Sequence, residues 1–143
     1  MDARHPAVAS ELRRIRAALR KALADVGCDK AAIDDLVLAV DEACQNVIRH
    51  AYRGQPGGEI RISLTHTPAR VIVMISDDAP ASPPDLLSRG RDLAELRPGG
   101  LGTHFIRAVM DDVSLRSSPS GSGNCLRMVK RLDGCADASG DEV

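Results

Sequence analysis

One Tyr, one Phe and no Trp make up the whole aromatic content of 143 residues. Such a chain has no row of aromatic platforms on which bases could stack. Its core has to be built from Leu, Ile, Val, Ala and Met. An excess of one charge is missing too, since 19 basic side chains face 20 acidic ones for a net charge of −1. Without a basic field, direct binding of nucleic acid or of an anionic membrane is not expected. The four cysteines, Cys28, Cys44, Cys125 and Cys135, include no pair at two-residue spacing, which argues against a zinc or redox motif. Cys44 and Cys125 lie in apolar segments and read as small core residues. No apolar run reaches membrane-spanning length, and MDARHPAVASELRR lacks the apolar centre of a signal peptide. A reducing cytoplasm is the compartment that these absences favour.

What is present is ordinary for a globular chain, with 43% apolar and 27% charged residues. The length suits one domain with one core. We expect that domain over residues 1–135. Residues 136–143 are small and acidic, and are expected to form a disordered tail.

Hydrophobic spacing organises the chain. Val8, Leu12, Ile15, Leu19, Leu23 and Val26 recur at intervals of three and four, which predicts a helix over 6–26 with Pro6 in its first turn. Gly27 supplies its stop. Asp29 can cap a second helix over 30–53, whose buried face is Leu36, Val40, Ala43, Val47 and Ala51. GEIRISLTHT alternates apolar and polar residues as a half-exposed strand does, and ARVIVMIS is β-branched and nearly all apolar. The two predict a hairpin. Residues 77–102 gather four prolines and four glycines, the composition of a functional lid rather than of regular structure. A third helix over 101–110 and two strands, VSLRSS and NCLRMVKRL, complete the order. Helix, helix, strand, strand, lid, helix, strand, strand predicts an α+β two-layer sandwich, one mixed β-sheet with helices packed on one face.

Three segments carry a phosphate or metal logic. Glu42, Asn46, Arg49 and Arg53 stand four, three and four residues apart, so they share one helix stripe. A carboxylate beside an amide oxygen suits Mg²⁺, and a carboxylate can also take a proton from an attacking hydroxyl. A solvated polar face is the commoner meaning of such a stripe. Gly99, Gly100, Leu101, Gly102 and Thr103 open the third helix. Glycines there let backbone N–H groups approach phosphate, and a helix start adds about half a positive charge. A plain flexible loop has the same composition. Asp77 follows the most apolar strand, where a carboxylate can accept a hydrogen bond from an exocyclic amine such as that of adenine. Asp is also common in turns.

Order and context together tip the balance. EACQNVIRHAY resembles the N-box of the GHKL ATPase superfamily. AIDDLVLAVDEACQNVIRHAY, GGLGTHFIRAVMDDV and LRMVKRL more closely resemble the anti-sigma-factor serine/threonine-protein kinases, the RsbW/SpoIIAB-like group. The resemblance covers about residues 31–132. It implies a Bergerat ATP-binding fold and a partner-switching kinase. Such a kinase binds Mg-ATP, phosphorylates a serine on an anti-anti-sigma (STAS) protein, and alternatively sequesters a sigma factor or other regulator. By the same resemblance Glu42 is the general base, Asn46 the Mg²⁺ ligand and Asp77 the adenine-reading acid. Gly100, Leu101, Gly102 and Thr103 form the phosphate loop. A homodimer is left open.

The chain also departs from the pattern. Ala79 stands where the motif around the adenine-reading Asp has Gly, Cys125 stands where a Thr is common near the adenine, and MDARH is too short for a full N-terminal strand. The departures at Ala79 and Cys125 motivate the alternative of a catalytically weak regulator-binding module of the same fold, and the short N-terminus bears on the sheet edge and any dimer that uses it.

Overall fold

A computed structural model describes residues 1–51, 57–80, 106–117 and 122–132 of the chain. Its elements are β1 (Asp2–Pro6), a 3₁₀ turn (Ala9–Glu11), α1 (Leu12–Val26), α2 (Lys30–Asn46), a π turn (Val47–Ala51), β2 (Glu59–Thr67), β3 (Arg70–Pro80), β4 (Asp112–Ser117) and β5 (Ser122–Arg131). Residues 106–109 are also helical.

The strands form one sheet in the order β1-β2-β3-β5-β4. All four pairings are antiparallel, which refines the mixed sheet expected from the element order. The reason lies in the connection from β1 to β2. A single crossover helix carries the chain to the far end of a sheet and makes the next strand parallel. Here α1 and α2 run out and back, so β2 starts beside the point where β1 ends, with Pro6 opposite Glu59.

β1 overturns the expectation that the N-terminus is too short for a strand. Five residues pair with β2 from Asp2↔Ser63 to Pro6↔Glu59, and the Ala7 N–H extends the contact to the Gly58 carbonyl. Pro6 therefore ends a strand rather than opening a helix, and α1 starts at Leu12. The rest of the helix reading holds. Ile15, Leu19 and Leu23 are buried, and Gly27 closes the helix at φ 98°, where a side chain is disfavoured. The Asp29 side chain accepts from the Ala32 N–H at 2.9 Å and caps α2.

The two helices cover one face of the sheet. Leu19, Leu23, Leu36 and Val40 meet Ile60, Ile62, Val71, Val73, Ile75 and Met128 in a single apolar cluster. Each such side chain contributes roughly 1.5–3 kcal/mol on burial. The outer face is largely polar, with Arg61 pairing Asp78 at 3.0 Å and Arg127 near Asp112 at 3.6 Å. The Arg61 guanidinium holds the Asp78 carboxyl below the usual carboxylate range. No disulfide joins the described cysteines. Among the described residues, no helix is long and apolar enough to cross a membrane.

Candidate functional site

The site begins on α2. Asp41 and Glu42 are adjacent carboxylates with opposite fates. One oxygen of Asp41 accepts from Arg16 Nη1 at 2.8 Å and the other from Gln45 Nε2 at 2.8 Å. Asp41 is thereby committed to tying α1 to α2. Glu42 lies about 100° further round the helix. It is half-buried and makes no hydrogen bond or ion pair among the described residues. A half-sheltered carboxylate with open lone pairs can accept a proton from an incoming group.

One turn on, Asn46 is 8% exposed. Arg49 donates through Nη2 to Asn46 Oδ1 at 3.3 Å and through Nη1 to Gln45 Oε1 at 3.2 Å. The expected continuous helix does not persist here. After Asn46 the backbone widens into a π turn over Val47–Ala51, a local irregularity that sequence periodicity does not report and that often marks functional positions. This turn packs against β3, so the end of α2 lies beside the strand that carries Asp77. Arg53 and the side chain of His50 lie outside the described residues.

Asp77 is inside β3, not beyond it, opposite Ile60 on one side and Asn124 on the other. It is 4% exposed. Its parity places it on the helix-covered face with Val71, Val73 and Ile75. Asn124 Nδ2 donates to Asp77 Oδ1 at 3.0 Å, which fixes the carboxylate within the central strands.

The same parity corrects two expectations drawn from the family pattern. Cys125 pairs with Ser76 and Arg116, so its side chain points to the outer face, away from Asp77. The residue beside Asp77 is Asn124, and Cys125 is a half-exposed sheet residue rather than a core or adenine-side one. Asn124 was overlooked because nothing local distinguishes it; only the register with β3 reveals its partner. Ala79 lies in the extended backbone of β3, at the shift in pairing between Asp77 and Pro80. The position is extended, so it does not call for the left-handed backbone that favours Gly.

Gly100, Leu101, Gly102 and Thr103 lie outside the described residues, as do the rest of the expected lid beyond Pro80 and the tail 136–143. The helical residues 106–109 that follow are anchored. Ile106 and Met110 are buried. Lys130 Nζ donates to the Val109 carbonyl at 2.8 Å and to Asp35 Oδ2 at 3.1 Å. A cation at a helix C-terminus complements the helix dipole, and here it also ties that helix to α2.

The donor set fits a hard cation held jointly with phosphate. Asn46 offers one buried amide oxygen, and no group of three or more His, Cys, Asp or Glu side chains among the described residues could hold a metal alone. Mg²⁺ is commonly held by few protein oxygens plus water and substrate phosphates.

The comparisons with known proteins bear on the family and the fold. The model of the histidine kinase-like ATPase domain family matches residues 5–130. The chain is 30% identical over 129 residues to serine-protein kinase RsbW of Bacillus subtilis (strain 168), covering 84% of this chain and 78% of that protein. It is 32% identical over 111 residues to serine-protein kinase RsbW of Bacillus velezensis, covering 71% of this chain but just under two thirds, 66%, of that protein. The crystal structure of the RsbU and RsbW domains of Rv1364c from Mycobacterium tuberculosis superimposes with a TM-score of 0.63 at 19% identity. That match covers 92% of this chain and 31% of the solved one, and is a likeness of fold. This chain belongs to the histidine kinase-like ATPase family, in its RsbW-like group.

Proposed function

We propose that this RsbW-like chain is a partner-switching protein serine kinase. It binds Mg-ATP, phosphorylates a serine on a STAS-domain anti-anti-sigma protein, and alternatively sequesters a sigma factor or other regulator. The observation that carries the reading is the placement of Glu42. It is a half-buried carboxylate without a partner among the described residues, one turn before Asn46, on a helix whose end packs against the Asp77 strand.

Each residue has its own task. Asp77, held by Asn124, accepts the hydrogen bond of an exocyclic amine on the base. Asn46, with the phosphates, would hold Mg²⁺, and the ion would neutralise phosphate charge. The 100–103 loop contributes backbone N–H groups to the phosphates. Glu42 accepts the proton of the partner's serine hydroxyl as that oxygen bonds to the γ-phosphorus and the bond to the β-bridging oxygen breaks. ADP leaves with the electron pair. Positioning and charge neutralisation supply most of the acceleration in such transfers.

A weak binding module is the less favoured alternative, because its two motives lapse. Ala79 sits in an extended strand, and Cys125 points away from Asp77. The decisive experiment incubates the protein with γ-labelled Mg-ATP and a STAS-domain protein that it binds. Label should appear on a serine of the STAS protein. Folded protein that binds nucleotide yet transfers no label contradicts the kinase reading.

A further inference from the structure

Asn46 Oδ1 already accepts a hydrogen bond. Arg49, exposed and one turn further on, donates Nη2 to that oxygen at 3.3 Å while Nη1 is held by Gln45 Oε1 at 3.2 Å. The oxygen in question is the one that the nucleotide reading above gives to Mg²⁺. An amide oxygen has two lone pairs, so sterically both cations could share it. Electrostatically they conflict. A Mg–O bond is about 2.0–2.1 Å long, which would leave the metal roughly 5 Å from the guanidinium nitrogen. Two cations that close, at a poorly hydrated site, repel.

We propose that Arg49 is a positioning residue that competes with Mg²⁺ for Asn46 Oδ1. Without metal it holds the Asn46 side chain in place and shields its oxygen. When Asn46 takes up Mg²⁺ with nucleotide, the Arg49 guanidinium would give way. The planar guanidinium, still anchored by its stem on the same helix face, is then available to nucleotide phosphate, whose oxygens it matches better than an amide does. Arg49 therefore sets the Mg²⁺ concentration at which nucleotide is held tightly. The inference rests on the nucleotide reading and adds to it a device that tunes metal dependence.

Calorimetric titration of ADP at stepped Mg²⁺ concentrations tests it, with no turnover in the readout. Arg49→Ala should lower the Mg²⁺ concentration giving half of the full affinity gain by threefold or more. Arg49→Lys keeps the charge but loses the two-pronged anchor, and should fall between. An exposed surface position makes both variants fold-competent, which circular dichroism checks. A midpoint unchanged or raised in Arg49→Ala overturns the competition. Wild-type protein that binds no nucleotide overturns the kinase reading instead, and nucleotide binding with no Mg²⁺ dependence overturns Asn46 as a ligand. The three failures are distinguishable.

Discussion

The two carboxylates to which the proposed function gives separate tasks are held in opposite ways. Asp77 is buried at the middle of the sheet and clasped by Asn124 at 3.0 Å. Glu42 is half-buried on a helix and has no partner among the described residues, although its neighbour Asp41 has two. The contrast teaches a division of labour. A group that recognises a fixed ligand edge benefits from being pre-oriented, because ordering has been completed during folding. A group that must gain and lose a proton needs an open lone pair, so a strong structural partner would compete with its chemistry. On the function proposed above, the helix wall would serve reaction and the strand wall recognition.

Disabling each wall separately should therefore give different kinetic signatures. The largest effect is expected from Glu42→Gln. Phosphoryl transfer to the STAS protein should fall on the order of 10² to 10⁴-fold, while Mg-ATP affinity by calorimetry stays within about threefold. Equal losses of affinity and transfer would erase the distinction. Asp77→Asn should do the reverse. It turns one acceptor oxygen into an NH₂ group that cannot accept from the base and leaves that amine unpaired at a buried site, which costs roughly 1–3 kcal/mol. Nucleotide affinity should drop about tenfold to a hundredfold, and transfer should recover at saturating ATP.

Cys44 probes the packing beneath the helix wall. Burial, with a smaller contribution from nearby Asp41, pushes its thiol up to about 12 from 9.0. The folded thiol thus stays protonated while the unfolded one ionises. Stability is full below pH 9 and is lost as pH rises toward about 12. Urea unfolding at about pH 8 and about pH 10.5 should show an extra loss on the order of 2 kcal/mol relative to Cys44→Ala. Equal slopes for the two proteins would mean that Cys44 is not buried as described.

The smallest effects separate the neighbours Asn124 and Cys125. Asn124→Ala leaves Asp77 without its clasp and should weaken nucleotide binding roughly threefold to tenfold, about one hydrogen bond's worth. Cys125→Ser changes a side chain on the far face and should leave affinity unaltered. A loss in Cys125→Ser that matched or exceeded that in Asn124→Ala would reverse the assigned register.

That pair also shows how far the sequence could be read unaided. α2 was legible because its apolar residues follow the helix period and Asp29 supplies a cap. The β2–β3 hairpin was legible from alternation and a short turn, and β5 from NCLRMVKRL. Glu42, Asn46 and Asp77 were visible as chemistry, each ambiguous until combined. The Asn124–Asp77 contact was invisible, because it joins residues 47 apart through a register that no local pattern fixes. Attributing the role to Cys125 instead is a one-residue slip, and one residue in a strand turns a side chain to the opposite face. β1 was missed for a related reason. Only Ala3 and His5 of its five residues point inward, so it has no hydrophobic alternation, and its partner β2 lies over fifty residues away. The π turn leaves the apolar spacing nearly intact and so gave no signal.

The central claim is that the end of α2 and the Asp77–Asn124 pair are two walls of one nucleotide pocket. Hydrogen–deuterium exchange with and without Mg-ATP tests it most directly, because it reads both walls in one sample. The account predicts that nucleotide slows exchange together at residues 42–51 and at residues 75–78 and 123–126, with β1 and the β2–β3 turn unchanged. Protection at only one of the two walls, or at neither under conditions where calorimetry shows nucleotide bound, would contradict it.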